Sequence, residues 1–128
     1  MKLARLLAIA LCVLTACTEE PVVQVIADAE LTVVAAYMAS PQAVARGEAL
    51  FKGSCAEYCH NVLPIETDAS FLFACEWLQE TDDAAIAKTI RSGIPNTRMV
   101  GFGSNFPEGD ADLWKLIAYL RLNQAPCA

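Results

Sequence analysis

Two thiols and the sole histidine of this 128-residue chain fall together at the end of the stretch Gly47 to His60, GEALFKGSCAEYCH. Cys55 and Cys59 are separated by Ala56, Glu57 and Tyr58, and His60 follows at once, so the pattern is C-x-x-x-C-H. Thiols bind soft metals or form covalent links, and a neutral imidazole is a metal ligand. On a helix, four residues advance about 400°, which leaves the two sulfurs roughly 40° apart on one face, with a rise of about 6 Å. Both can therefore meet one flat ligand. The spacing asks for a local backbone adjustment, for which a single π-type turn is a suitable device. A zinc site fits poorly, because there is no second histidine and Cys75 and Cys127 lie far along the chain. A thiol–disulfide oxidoreductase would show C-x-x-C beside a βαβ pattern, and neither is present. The bland alternative is a helix with two buried thiols and a satisfied histidine.

A cysteine pair followed directly by histidine resembles the haem-attachment signature of the c-type cytochromes, in which two thiols form thioethers with the haem vinyls and the histidine ligates iron. The common form has two residues between the cysteines, and this chain has three. The resemblance implies one covalent haem c on Cys55 and Cys59, with His60 as the proximal ligand. A second alignment, Ala56-Glu57-Tyr58-Cys59-His60, looks like the rarer single-thioether pattern in which Ala56 stands for the first cysteine. Both attachments stay open.

The flanks extend the resemblance to the class I cytochromes c. Ser40 and Pro41 form a helix start, cap followed by first-turn proline, for a helix from Gln42 to about Lys52. Val44, Gly47, Leu50 and Phe51 make one apolar face at three- and four-residue spacing. Gly47 costs about 1 kcal/mol against alanine in a helix, so a packing reason is expected. In the family a glycine and an aromatic on the first helix cross the last helix closely, which places Gly47 and Phe51 against Leu116 and Tyr119. The last helix runs Leu113 to Leu122, capped by Asp110 or Asp112, and stops before Pro126. Between them, Thr81-Asp82-Asp83 caps a helix Ala84 to Ser92, with Gly93 as its stop. Ile94-Pro95 and Met99 then resemble the family's distal loop, which makes Met99 the sixth iron ligand by resemblance. From Asn61 to Glu80 the chain is least family-like, and loop with short helix is expected, with Phe71, Phe73, Trp77 and Trp114 facing the cofactor or the core. A carbonyl near Pro64 or Ser70 to Leu72 is expected to hold the His60 ring.

The N-terminus reads as an export signal. Lys2 and Arg5 precede an apolar run from Leu6 to Val13 that is too short to span a bilayer. Leu14-Thr15-Ala16-Cys17 resembles the bacterial lipobox, which implies cleavage before Cys17 and its lipidation, with Thr18 favouring the outer membrane. Residues 1–16 are then signal peptide, 17–40 a tether with an apolar extension, and 41–128 the cytochrome domain. Residues 23–40 have no clear period, and helix or irregular packing against the domain is expected. Of six cysteines, Cys12 leaves with the leader and Cys17 takes lipid. If haem takes Cys55 and Cys59, Cys75 and Cys127 remain to form a disulfide in an oxidising compartment.

Removing Lys2 and Arg5 with the leader leaves seven basic against fifteen acidic residues, a formal charge of −8. That argues against nucleic acid and for partners with a basic docking patch. The expected protein is a small all-α domain that carries single electrons in the periplasm and is not an enzyme. The resemblance implies redox partners such as a periplasmic dehydrogenase or a terminal oxidase or reductase, with the membrane reached through the lipid. Rival readings are a gas sensor or peroxidase, if Met99 does not ligate, and a haem-free structural lipoprotein.

Overall fold

Ser40 begins the helix against which the rest of the molecule packs. In the computed structural model, residues 33–78 and 81–127 are described, and the export signal and the lipidation at Cys17 expected from the sequence lie outside them. Ser40 is extended and its Oγ accepts from Ala43 N at 3.3 Å. Helix α2 runs Pro41–Phe51, with Pro41 in the first turn, where its missing N–H costs nothing. A further helix, α1, is described over residues 33–38 and buries Val34 in the core.

Helix α2 crosses α5, Asp110–Asn123, at Gly47. A β-carbon on residue 47 would lie 2.1 Å from the Lys115 carbonyl oxygen and 2.9 Å from Tyr119 Cβ. The helices meet backbone to backbone there, which is why the position tolerates glycine's poor helix propensity. One helical turn later Phe51 is fully buried, its ring 5.7 Å from Tyr119 and 5.3 Å from Phe73. Leu113, Leu116, Ile117 and Leu120 complete this core from α5.

The start of α5 differs from expectation. Neither Asp110 nor Asp112 is the N-cap; Gly109 is, at φ 60° and without a side-chain bond. Asp112 lies one turn inside, fully buried, and its carboxylate takes both Nε and Nη2 of Arg46 at 3.0 and 2.7 Å. It also reaches back to accept Glu108 N at 3.0 Å. A capping aspartate is thus recruited to tie α5 to α2, because a buried carboxylate is stable only when paired.

The hydrogen bond from Arg46 holds the Asp112 carboxyl below its ordinary range, against the opposing effect of burial. Asp112 therefore stabilises the fold fully above its unfolded value of ~3.9, and that contribution is lost as pH falls through the lower folded value. Asp112→Asn is expected to cost about 2 kcal/mol near neutrality. The gap between variant and wild type should narrow as pH falls below the ordinary aspartate value and Asp112 takes up its proton, which urea unfolding at a series of pH values would measure. An equal gap at all pH values would refute the assignment.

The remaining elements are α3, Cys75–Leu78, and α4, Asp83–Ser92. Asp82 caps α4 by accepting Ala85 N at 2.6 Å. Ile86 and Ile90 face the core, and Asp83 is itself buried against Arg121 Nε at 2.6 Å. Arg121 also donates to the carbonyls of Leu78 and Thr81, so α5 grips the α3–α4 connection. Cys75 and Cys127 are joined in a disulfide across 52 positions, a loop length for which cross-linking contributes about 2–4 kcal/mol. Ala125 N to Phe73 O at 2.8 Å and Gln124 Nε2 to Cys75 O at 3.2 Å hold the same tail. Among the described residues there is no strand beyond an isolated bridge, Gly93 with Val100, and no helix long and apolar enough to cross a membrane.

Candidate cofactor site

The chain leaves α2 through a π-helical segment, Lys52–Ala56, that runs into the cysteine motif. The Cys55 carbonyl accepts both Cys59 N at 3.1 Å and His60 N at 2.9 Å. The second of these is an i to i+5 bond, and the widened turn accommodates the additional residue of C-x-x-x-C-H. Cys55 and Cys59 are not joined to another cysteine, and each is partly buried. Burial, with Cys59 close by, pushes the Cys55 thiol up to about 11, so it is un-ionised at neutral pH.

His60 turns away from the helix and donates Nδ1–H to the Ser70 carbonyl at 2.9 Å. That bond fixes the tautomer and the ring plane, and leaves the Nε2 lone pair available to a metal. Glu57, between the cysteines, is exposed and takes no part.

Met99 reaches the cavity from the loop after α4. Gly93 ends α4 at φ 68°, and a β-carbon there would sit 2.4 Å from the Met99 carbonyl oxygen. The loop then closes on itself through Ile94 N to Met99 O at 2.9 Å, and returns to α4 through Phe102 N to Ile90 O at 2.9 Å. A left-handed glycine and a backbone clamp thus fix the residue that carries the thioether.

Cys55, Cys59, His60 and Met99 line one cavity of about 590 Å³, within the ~300–1,000 Å³ typical of cofactor sites. Phe51, Leu116 and Leu120 line it from the helix crossing, and Ile86, Ile90 and Phe106 from α4 and the following loop. The wall is therefore mainly aliphatic and aromatic. Two charged side chains line it, Asp68 and Arg98, and they pair with each other.

The four aromatic residues expected at cofactor or core divide. Phe73 and Trp114 are buried, and Trp114 carries the Arg91 guanidinium 5.6 Å from its ring centre without lining the cavity. Trp77 is half exposed at the cavity, and Phe71 borders a separate cleft of about 450 Å³ beside Lys52 and Tyr119. Sequence reasoning missed Phe106, although its four-residue spacing from Phe102, against which it stacks at 5.9 Å, was a usable signal. It also missed the Arg98–Asp68 pair, thirty positions apart, for which no local signal exists.

A family model described as cytochrome C oxidase, cbb3-type, subunit III, matches residues 42–120, more than half of the chain. The chain belongs to this family. No curated protein and no solved structure matches it significantly. As a c-type cytochrome domain it serves haem-based electron transfer and binds haem c covalently. The residues present fit that group. A neutral imidazole with a fixed tautomer, a soft thioether and two thiols face one apolar cavity of suitable size, which is a donor set for low-charge iron in a dry site.

Proposed function

We propose that this cytochrome is a periplasmic electron carrier, anchored by lipid at Cys17, whose haem c is held between His60 and Met99. When bound, haem c supplies a one-electron ferric–ferrous couple. His60, oriented by the Ser70 carbonyl, would hold the group through Nε2 and Met99 through its thioether. Cys55 and Cys59 would tether it through two thioethers. Phe51, Leu116 and Phe106 would keep water from it. With His60 and Met99 both engaged in holding the iron, the protein would carry electrons rather than turn over a substrate. Its partners are a donor and an acceptor protein of the same compartment.

The observation that carries this reading is the convergence of Cys55, Cys59, His60 and Met99 on one cavity from two separate loops. The test is expression in a host that matures c-type cytochromes, followed by intact mass and a pyridine haemochrome spectrum. One haem is expected to remain bound through denaturation. Cys55→Ala and Cys59→Ala should each retain haem through one bond and shift the haemochrome band. A Cys55→Ala spectrum identical to wild type would reduce the attachment to Cys59 alone, and a colourless wild-type protein would end the reading.

A further inference from the structure

Val62, Leu63, Pro64 and Ile65 form four consecutive apolar residues exposed in the loop after His60, and Tyr58 is exposed just before it. Such runs on a soluble surface are errors unless they serve contact. Filling the large cavity would not hide them. Trp77 and Ile94 are also exposed, but they line that cavity, whereas Tyr58, Leu63, Pro64 and Ile65 do not. Val62 borders only the smaller cleft.

The run nevertheless belongs to the rim of the site. Asp68, Ala69 and Ser70, further along the same loop, line the cavity, and Ser70 holds His60. Val62 is two residues from His60, at most about 7 Å along the chain. The loop is shaped by its own bonds, Ile65 N to Leu63 O at 2.8 Å and Thr67 Oγ1 to Ala69 O at 2.9 Å.

The surrounding charge is negative. Glu57, Glu66 and Asp68 are exposed around the run. Arg98 pairs with Asp68 and Lys52 with Glu48, while Glu57 and Glu66 have no ion-pair partner among the described residues. A second copy would set acid against acid, and an anionic bilayer would be repelled.

We propose that residues 58–68 form the surface on which the redox partner docks, and that the partner offers an apolar patch ringed by Lys and Arg. This rests on the electron-carrier reading above. A partner seated there approaches the proximal edge of the site, with the apolar run supplying contact and Glu57 and Glu66 the steering.

Stopped-flow exchange between the full-length holoprotein in neutral detergent and a lysine-rich soluble cytochrome c tests this. One electron passes from the ferrous probe to this chain's ferric haem, and no bond is made or broken. The wild-type rate should fall with ionic strength. The double variant Leu63→Ser with Ile65→Ser should lower the second-order rate about tenfold, and Glu66→Lys about threefold with a weaker salt dependence. Both should leave the optical spectrum, and the rate with the uncharged reductant hydroquinone, unchanged.

A salt-independent wild-type rate, or variant rates equal to wild type, would overturn the proposal. A wild-type dimer dispersed by the double variant would also overturn it, as would vesicle binding by a Cys17→Ser protein that the double variant abolishes. Capture of residues 18–32 of the same chain by a photo-crosslinker at position 63 would do the same. Holoprotein that accepts electrons from neither probe nor hydroquinone would overturn both this and the carrier reading.

Discussion

Gly47→Ala is expected to destabilise the domain by about 3 kcal/mol, at the upper end of the usual cost of overpacking. The added methyl group would sit 2.1 Å from the Lys115 carbonyl oxygen and 2.8 Å from its carbonyl carbon. These are backbone atoms inside a helix and cannot rotate aside. The variant can survive only by separating α2 from α5, which loosens Phe51 against Tyr119 and Phe73. Alanine's better helix propensity returns only about 1 kcal/mol. Against a total stability of some 5–15 kcal/mol the net loss is a large fraction. Urea unfolding of the holoprotein would measure it; a variant as stable as wild type would mean that the helices do not cross backbone to backbone at this residue.

Met99→His should lower the midpoint potential by on the order of 0.2 V, a substantial part of the ~0.8 V that axial ligation controls. A thioether is soft and neutral and favours ferrous iron, whereas a second imidazole favours the ferric state. The Met99 backbone is clamped by Ile94 N, and Gly93 is already committed to its turn, so the substituted side chain should enter the same cavity. Redox titration would read the shift, and the weak far-red band of methionine–iron ligation should vanish from the ferric spectrum. An unchanged potential and band would remove Met99 from the iron and favour the rival with an open site for a diatomic gas or peroxide.

Much of the site was legible because its chemistry sits in local sequence. A motif of two thiols and an imidazole in adjacent turns declares itself, and so does a glycine after a periodic helix. The spacing also calls for a local backbone adjustment, for which a π-type turn is a suitable device, and the structure has that turn. Asp112 was read as a cap because Asp at a helix start usually caps. The structure buries it against Arg46, 66 positions earlier, and no local rule reports a partner at that distance. Trp77, expected at the cofactor or in the core, does line the cavity, and its half-exposed ring faces that space.

By itself the sequence determined the attachment motif, the cap Ser40 and an acidic cap within Thr81 to Asp83, because each depends on bonds or periodicities that span only a few residues; the all-α class and the order of the helices followed from the resemblance those motifs carry. Only the tertiary structure decided which carbonyl orients His60, how the loop that carries Met99 is clamped, which carboxylate is buried, and that Leu63 to Ile65 stay outside the cavity. Those outcomes depend on loops closing across tens of residues around a shared apolar space, and the closing contacts leave no trace in the local pattern of the chain.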